Sequence, residues 1–227
     1  MGDQATLSVD EAFHMRKVLR IQLGRQVVAS NGQGGIFLCE TEPAKGGGLD
    51  LVAVKCVNME TIPPRLNMVL SLLKGRDLEE PVDGLCQLNI RAIHLVTTDH
   101  TQEFKGQNHD RLVERLRGKS LVALKQAKKA WLTEIHEPLP LREWRERFAS
   151  MSLILLHPGK DRIPERIEGD CGILTGPEGG FSQAELDWLE KENCHRMGLG
   201  ETRIRATHAP LLACGKLMGL RLIYQVP

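Results

Sequence analysis

The segment Ile173-Leu174-Thr175-Gly176-Pro177-Glu178-Gly179-Gly180-Phe181-Ser182 holds the residue types best suited to gripping a ligand with main-chain atoms. A short apolar run passes through three glycines and a proline into polar sequence. Glycine lacks Cβ and tolerates φ > 0, so Gly176, Gly179 and Gly180 can turn peptide N–H and C=O groups outward while Pro177 stiffens the turn. Ser182 and Glu185 form a Ser-x-x-Glu capping box, which starts a helix directly after the glycines. The other reading is a strand-to-helix turn that is merely glycine-rich. No Gly-Lys-Ser/Thr follows, and the Gly-x-Gly-x-x-Gly order is missing, so neither a Walker loop nor a dinucleotide fingerprint is present.

Two further loops have the same setting, each directly after an apolar run: His157-Pro158-Gly159, and Gly198-Leu199-Gly200 continuing through Glu201 to Arg205. In a parallel sheet, ligands bind at loops beyond the carboxyl ends of strands, so three such loops can form one backbone-lined pocket.

The elements that would position them fall into two patterns. Ser8 and Glu11 make a second capping box, with Ala12, Met15, Val18 and Leu19 at helical spacing. Strands are expected at Gln26–Ala29, Ile36–Glu40 and Leu49–Val57, with turns at Asn31-Gly32 and Gly46-Gly47-Gly48, giving a small antiparallel barrel or sheet. Thr61-Ile62-Pro63-Pro64 marks the boundary between domains 1–64 and 65–227. Beyond it, strands at Leu66–Leu73, Ala92–Thr97, Met151–Leu156, Cys171–Thr175 and His195–Leu199 alternate with helices at Asp77–Leu88, Asp110–Trp131 (interrupted at Gly118), Leu141–Ala149 and from Pro210 to about Tyr224. Such alternation predicts a mostly parallel sheet covered by helices.

At 227 residues, 41% hydrophobic and 26% charged, the chain has the composition of a soluble globular protein. Its longest apolar stretches, such as Ser152–Leu156, are too short to cross a bilayer. Six scattered cysteines without a Cys-x-x-Cys pair read as buried free thiols in a reducing cytosol. Cys194-His195 has no second ligand pair nearby, so no metal is expected. Met1-Gly2-Asp3-Gln4-Ala5-Thr6 fits a myristoylation pattern that recurs by chance. Net charge is only +1, so a nucleic-acid surface must be local. Arg111, Arg115, Arg117, Lys119, Lys125, Lys128 and Lys129 face one acid, Glu114, in a stretch that is either a solvated helix face or such a surface.

These loops resemble the RsmE family of ribosomal RNA methyltransferases, of the knotted SPOUT superfamily. The resemblance covers nearly the whole chain, through Met15-Arg16-Lys17-Val18-Leu19-Arg20, Leu72-Leu73-Lys74-Gly75, Leu156-His157-Pro158, Gly176-Pro177-Glu178-Gly179-Gly180-Phe181-Ser182, and Leu199-Gly200 with Arg205 and Ala209-Pro210. It implies an α/β fold, a SPOUT-type trefoil-knotted parallel sheet with helices on both faces, plus a small N-terminal PUA-like β-barrel. It also implies a cytoplasmic homodimer that binds S-adenosylmethionine and methylates N3 of a uridine in small-subunit ribosomal RNA. Neither metal nor membrane is involved.

Carried onto this chain, the resemblance assigns Leu156, His157, Pro158, Thr175, Gly176, Pro177, Gly179, Gly180, Met197, Gly198, Leu199 and Gly200 to the cofactor. Arg16, Lys17, Arg20, Lys125, Lys128 and Lys129 are assigned to RNA. Arg205 is placed to stabilise the developing imidate oxygen of the uracil, or to serve as a surface or dimer contact. Glu178 either receives a proton or braces its loop.

The chain departs from the family pattern at charged positions. Thr207-His208 stands where the family carries Glu-Thr. Asp83 to Asn89 lacks a lysine and a glutamate, and Thr98-Asp99-His100-Thr101 replaces a Ser-Glu-Arg segment. The alternative to an active enzyme is therefore a non-catalytic RNA-binding paralogue that keeps the donor pocket. His208 is either a proton handler or a capping or interface residue, and His157 shapes its loop.

Overall fold

A computed structural model describes residues 4–44, 49–61, 65–104, 108–158, 163, 167, 169–192 and 194–219. Packing divides the chain into two units, Met1–Pro63 with Lys128–Trp131, and Pro64–Ala127 with Leu132–Pro227. The expected features at Met1–Asp3, Gly46–Gly48, Ile62–Pro64, Gly159 and Leu220–Tyr224 lie outside the described residues.

In the first unit, β1 (Gln4–Thr6), β2 (Gln26–Ser30), β3 (Gly35–Pro43) and β4 (Leu49–Met59) form an antiparallel sheet in the order β1-β4-β3-β2. The β2–β3 turn is set by its own side chain. Asn31 Oδ1 accepts from the N–H groups of Gln33 (2.8 Å) and Gly35 (2.9 Å), and Gly32 takes φ +69. Helix α1 (Val9–Phe13) is capped by Ser8, whose hydroxyl accepts the Glu11 N–H at 3.3 Å. It continues as a π-helical turn, His14–Val18, and lays Ala12 and Met15 on Cys39, Leu49 and Leu51.

The second unit begins with β5 (Leu66–Ser71), α2 (Glu79–Gln87), β6 (Ala92–Thr97) and α3 (Asp110–Gln126), followed by β7 (Glu134–Pro140) and α4 (Leu141–Arg147). It continues through β8 (Ser152–Leu156), β9 (Cys171–Thr175), α5 (Gln183–Lys191), β10 (His195–Met197) and α6 (Ala209–Gly219). All six strands are parallel, in the order β10-β8-β9-β5-β6-β7.

A strand between two helical layers is buried on both faces, and β5 is buried along its whole length; its two polar residues, Asn67 and Ser71, donate to main-chain carbonyls. Side-chain alternation splits the core. Leu66, Met68 and Leu70, with Ile93, Leu95, Ile154 and Ile173, face α2, α3 and α6. Val69, Val96, Leu153, Leu155 and Leu174 face Trp144 of α4 and Leu189 of α5. Helices therefore cover both faces, as expected.

On the α4 side, the buried His94 ring stacks on His136 with centroids 4.5 Å apart, against the edges of Trp144 and Phe148. Burial, and secondarily the charge of His136, push the His94 pKa down to about 3. His136 is lowered as well, mainly by burial.

Several expectations need correction. Helix α3 runs unbroken through Gly118, where nothing crowds the missing Cβ, but it ends at Gln126 instead of Trp131. Lys128 takes φ +52, and residues 128–131 belong with the first unit. Strand β7 was not anticipated because Pro138 and Pro140 argue against a strand. As the last strand of its sheet, β7 pairs on one side only, where proline is tolerated. The short β1 was also missed. Strands expected to reach Leu73 and Leu199 stop at Ser71 and Met197. All six cysteines are free thiols, but Cys56 is exposed and Cys194 only half-buried.

Candidate functional site

Parallel strands end on one edge of their sheet, so the neighbours β9, β8 and β10 deliver the three loops to the same edge. Leu156 pairs in register with Met197, and the His157 N–H donates to the Met197 carbonyl at 3.0 Å. The twelve residues expected at the cofactor thus cluster at the ends of three adjacent strands. Met197 and Thr175 are buried, Leu156 and His157 half-buried, and Pro158 exposed. His157 Nδ1 donates to the Pro158 carbonyl at 2.9 Å, fixing its own loop.

The three glycines of the central loop serve different ends. Only Gly180 uses the left-handed region, at φ +73, and its N–H closes a turn onto the Pro177 carbonyl at 2.9 Å. A Cβ on Gly176 would lie 2.9 Å from the Phe181 ring, and one on Gly179 would lie 3.3 Å from His100. Above Gly180, and above Gly200 at φ +108, no atom of the described residues beyond the chain neighbours lies within 4 Å of where a Cβ would stand. These two main-chain positions are open to a ligand.

Side chains brace the loop from several directions. Ser71 Oγ donates to the Thr175 carbonyl at 2.9 Å. Glu178 Oε1 accepts the Lys74 N–H at 3.3 Å. The capping box is complete: Ser182 Oγ accepts the Glu185 N–H, and Glu185 Oε2 accepts the Ser182 N–H at 2.9 Å. The buried Glu185 also takes the Asp99 N–H at 2.8 Å, and Ser182 Oγ donates to Asp99 Oδ2 at 2.6 Å. On the neighbouring loop, Lys216 Nζ of α6 donates to the Gly198 carbonyl at 2.8 Å. Sequence reasoning missed Asp99, His100 and Lys216 as parts of this frame; no spacing rule links them to loops about 80 or 18 residues away in the chain.

Arg205 stands in the loop just before α6, where its carbonyl accepts the N–H groups of His208 (3.0 Å) and Ala209 (2.9 Å). Its side chain is exposed and lines an open cleft of about 460 Å³ with Arg203, Ile204, His208, Leu211 and Leu212. Glu178 is exposed on its own loop and does not line this cleft.

Of the residues expected at RNA, Arg16, Lys17 and Arg20 are exposed on the π-helical turn and just after it. Lys125 is exposed in the last turn of α3, Lys128 is exposed and Lys129 half-buried. Part of the basic stretch is balanced locally. Arg115 and Lys119 approach Glu79 at 3.3 and 3.9 Å, and Arg117 donates to Glu137 at 3.0 Å and to the Ile135 carbonyl at 3.1 Å. No cluster of His, Cys, Asp or Glu suited to a metal ion occurs among the described residues, and no described helix is long and apolar enough to cross a membrane.

Residues 60–218 match the family model for an RNA methyltransferase domain, and residues 7–53 match that for an RNA methyltransferase PUA domain. The chain belongs to this RNA methyltransferase family. Among curated relatives, the ribosomal RNA small subunit methyltransferase E of Synechocystis sp. is 24% identical over 95% of this chain and 73% of its own. The protein of the same name from Mycobacterium bovis is 25% identical over 94% of this chain and 86% of its own. These names agree with the RsmE resemblance. Two solved structures share the fold: a methyltransferase from Legionella pneumophila in complex with SAM (TM-score 0.80, 22% identity, 97% of this chain and 92% of that one), and a ribosomal RNA small subunit methyltransferase E from Neisseria gonorrhoeae bound to S-adenosyl methionine (TM-score 0.82, 16% identity, 96% and 92%).

Proposed function

We propose that the chain is an S-adenosylmethionine-dependent methyltransferase acting on N3 of a uridine in small-subunit ribosomal RNA. The observation that carries the reading is the convergence of three loops on one sheet edge, with Gly180 and Gly200 open to a ligand. The relatives named as small-subunit methyltransferases, and the two cofactor-bound structures of the same fold, support the choice of donor and substrate.

The residues present fit the donor. Leu156 and Leu199 offer apolar surface to an adenine, while peptide groups of Thr175–Gly180 and Met197–Gly200 offer hydrogen bonds to its edge. His157, Pro158, Gly176, Pro177 and Gly179 shape the walls. When bound, the donor supplies an electrophilic methyl group on a sulfonium. The protein's share of the work is to hold the RNA base in line with it, since alignment alone removes a large part of the barrier. The attacking nitrogen belongs to an imide that must lose its proton, and negative charge then spreads onto the ring oxygens. Arg205, with no side-chain partner among the described residues, is the group assigned to meet that charge. Glu178 is assigned to bracing because one oxygen is engaged by the Lys74 N–H, and the proton passes to water.

Arg16, Lys17, Arg20, Lys125, Lys128 and Lys129 are the proposed contacts to RNA phosphates. RNA contacts then come from both domains, 1–64 and 65–227, and the donor site and Arg205 belong to the second. A trefoil knot, a homodimer formed through it and a cytoplasmic setting complete the reading, supported by the family resemblance. Sedimentation tests the dimer.

The altered positions Thr207-His208 and Asp83–Asn89 favour a second reading, a paralogue that binds donor and RNA without turnover. One experiment separates them: incubation with methyl-labelled donor and small subunits from a strain lacking its own enzyme of this type. The proposal expects label on a single uridine. Absence of label on naked RNA and on assembled subunits, with donor binding intact, supports the paralogue.

A further inference from the structure

We infer that His100 is a positioning residue of the donor cradle, holding the Gly179-Gly180 turn through two main-chain carbonyls and so fixing which peptide groups of that loop face the ligand. The inference rests on the proposed function for the identity of that ligand. His100 Nδ1 lies 3.1 Å from the Gly179 oxygen and 2.9 Å from the Gly180 oxygen. Both partners are carbonyls, which only accept, so Nδ1 carries the proton and shares it between them. In a trans peptide the N–H points opposite to the C=O. With the Gly180 carbonyl turned onto His100, the Phe181 N–H is directed away from the imidazole, and its direction is set by the clamp.

Two further observations show that the contact is built into the fold. Gly179 has no Cβ where one would press on the ring at 3.3 Å, so the glycine and the histidine fit each other. The segment that carries His100 is itself anchored. Thr101 Oγ1 accepts the Thr98 N–H at 2.6 Å, the Asp99 N–H reaches Glu185 at 2.8 Å, and Asp99 Oδ2 accepts from Ser182 at 2.6 Å. Asp99 and His100 thus hold both ends of the stretch Gly179–Ser182. The resemblance expects an arginine in this segment. Histidine is shorter and ends its reach on the loop itself.

The test is calorimetric titration of the full chain with S-adenosylhomocysteine, joined to amide hydrogen exchange of the loop, for wild type, His100→Ala, His100→Asp and His100→Asn. Asparagine places an N–H donor at the position of Nδ1, whereas ionised aspartate keeps the shape and can only accept. The alanine and aspartate variants are expected to bind about fivefold more weakly, as loss of one exposed bifurcated hydrogen bond implies, and to exchange the Gly180 and Phe181 amides faster. His100→Asn is expected to stay within about twofold of wild type in both readouts. Wild-type affinity and exchange in His100→Ala, or equal impairment of the alanine and asparagine variants, would overturn the inference. If wild type itself fails to bind, the proposed function falls, and the exchange comparison still decides the clamp.

Discussion

The glycine loop after β9 and the arginine loop before α6 serve one proposed reaction but are built in opposite ways. Residues 175–182 are tied down by Ser71, Asp99 and His100, by the Lys74 amide onto Glu178, and by a complete capping box. Arg205, in contrast, has an exposed side chain with no partner among the described residues, at the rim of an open cleft. A donor read by main-chain groups needs those groups fixed before binding, because every degree of freedom frozen on binding subtracts from affinity. A cation meant for charge that develops on a large incoming substrate gains by staying unpaired until that substrate arrives.

Substitutions at the two loops should therefore separate affinity from turnover. The largest effect is expected at Arg205. Arg205→Ala should lower the rate of methyl transfer by about a hundredfold or more while calorimetric affinity for S-adenosylhomocysteine stays unchanged. A matching loss of donor affinity would break the division of labour.

Gly180→Val comes next. A β-branched residue at φ +73 is strained by its backbone conformation whatever space lies above it. Donor affinity should fall by about tenfold or more, at a cost of roughly 1–3 kcal/mol in strain and lost fit. Unchanged affinity would remove this turn from the cradle.

Acid should destabilise the α4 side of the sheet, where His94 stacks on His136. Above the ordinary imidazole value of 6.5, His94 is neutral in both folded and unfolded chains, so stability does not depend on pH through this group. As pH falls from there toward about 3, the unfolded chain takes up a proton that the folded one refuses. Stability then declines by up to about 1.4 kcal/mol per pH unit for this one group. Urea unfolding at pH 7.5 and 5 checks the sign, and His94→Phe should flatten the dependence.

The smallest effect sharpens the comparison at Glu178. Glu178→Gln keeps an oxygen for the Lys74 amide, so affinity and rate should both stay within about threefold of wild type. Preserved affinity with a collapsed rate would make Glu178 a proton acceptor instead of a brace.

Much of this contrast was legible in the sequence. The three loops stand out because buried parallel strands leave unbroken apolar runs, and because Ser182 and Glu185 announce a helix start next to the glycines. What escaped was long-range or masked. Pro138 and Pro140 hid β7, whose last-strand position is a tertiary fact. The basic run looked like an open positive face until folding brought Glu79 and Glu137 beside three of its members. His100 looked only like a lost arginine, since nothing local reveals that its ring meets carbonyls some 80 residues onward. Of the three glycines, only Gly180 needed the conformational freedom first credited to all of them.

The cradle is tested most directly by titrating the intact protein with S-adenosylhomocysteine in a calorimeter while following exchange of the loop amides. The account predicts a single saturable site per chain, with slowed exchange at residues 175–182 and 198–200. No heat and no protection at millimolar ligand would contradict it.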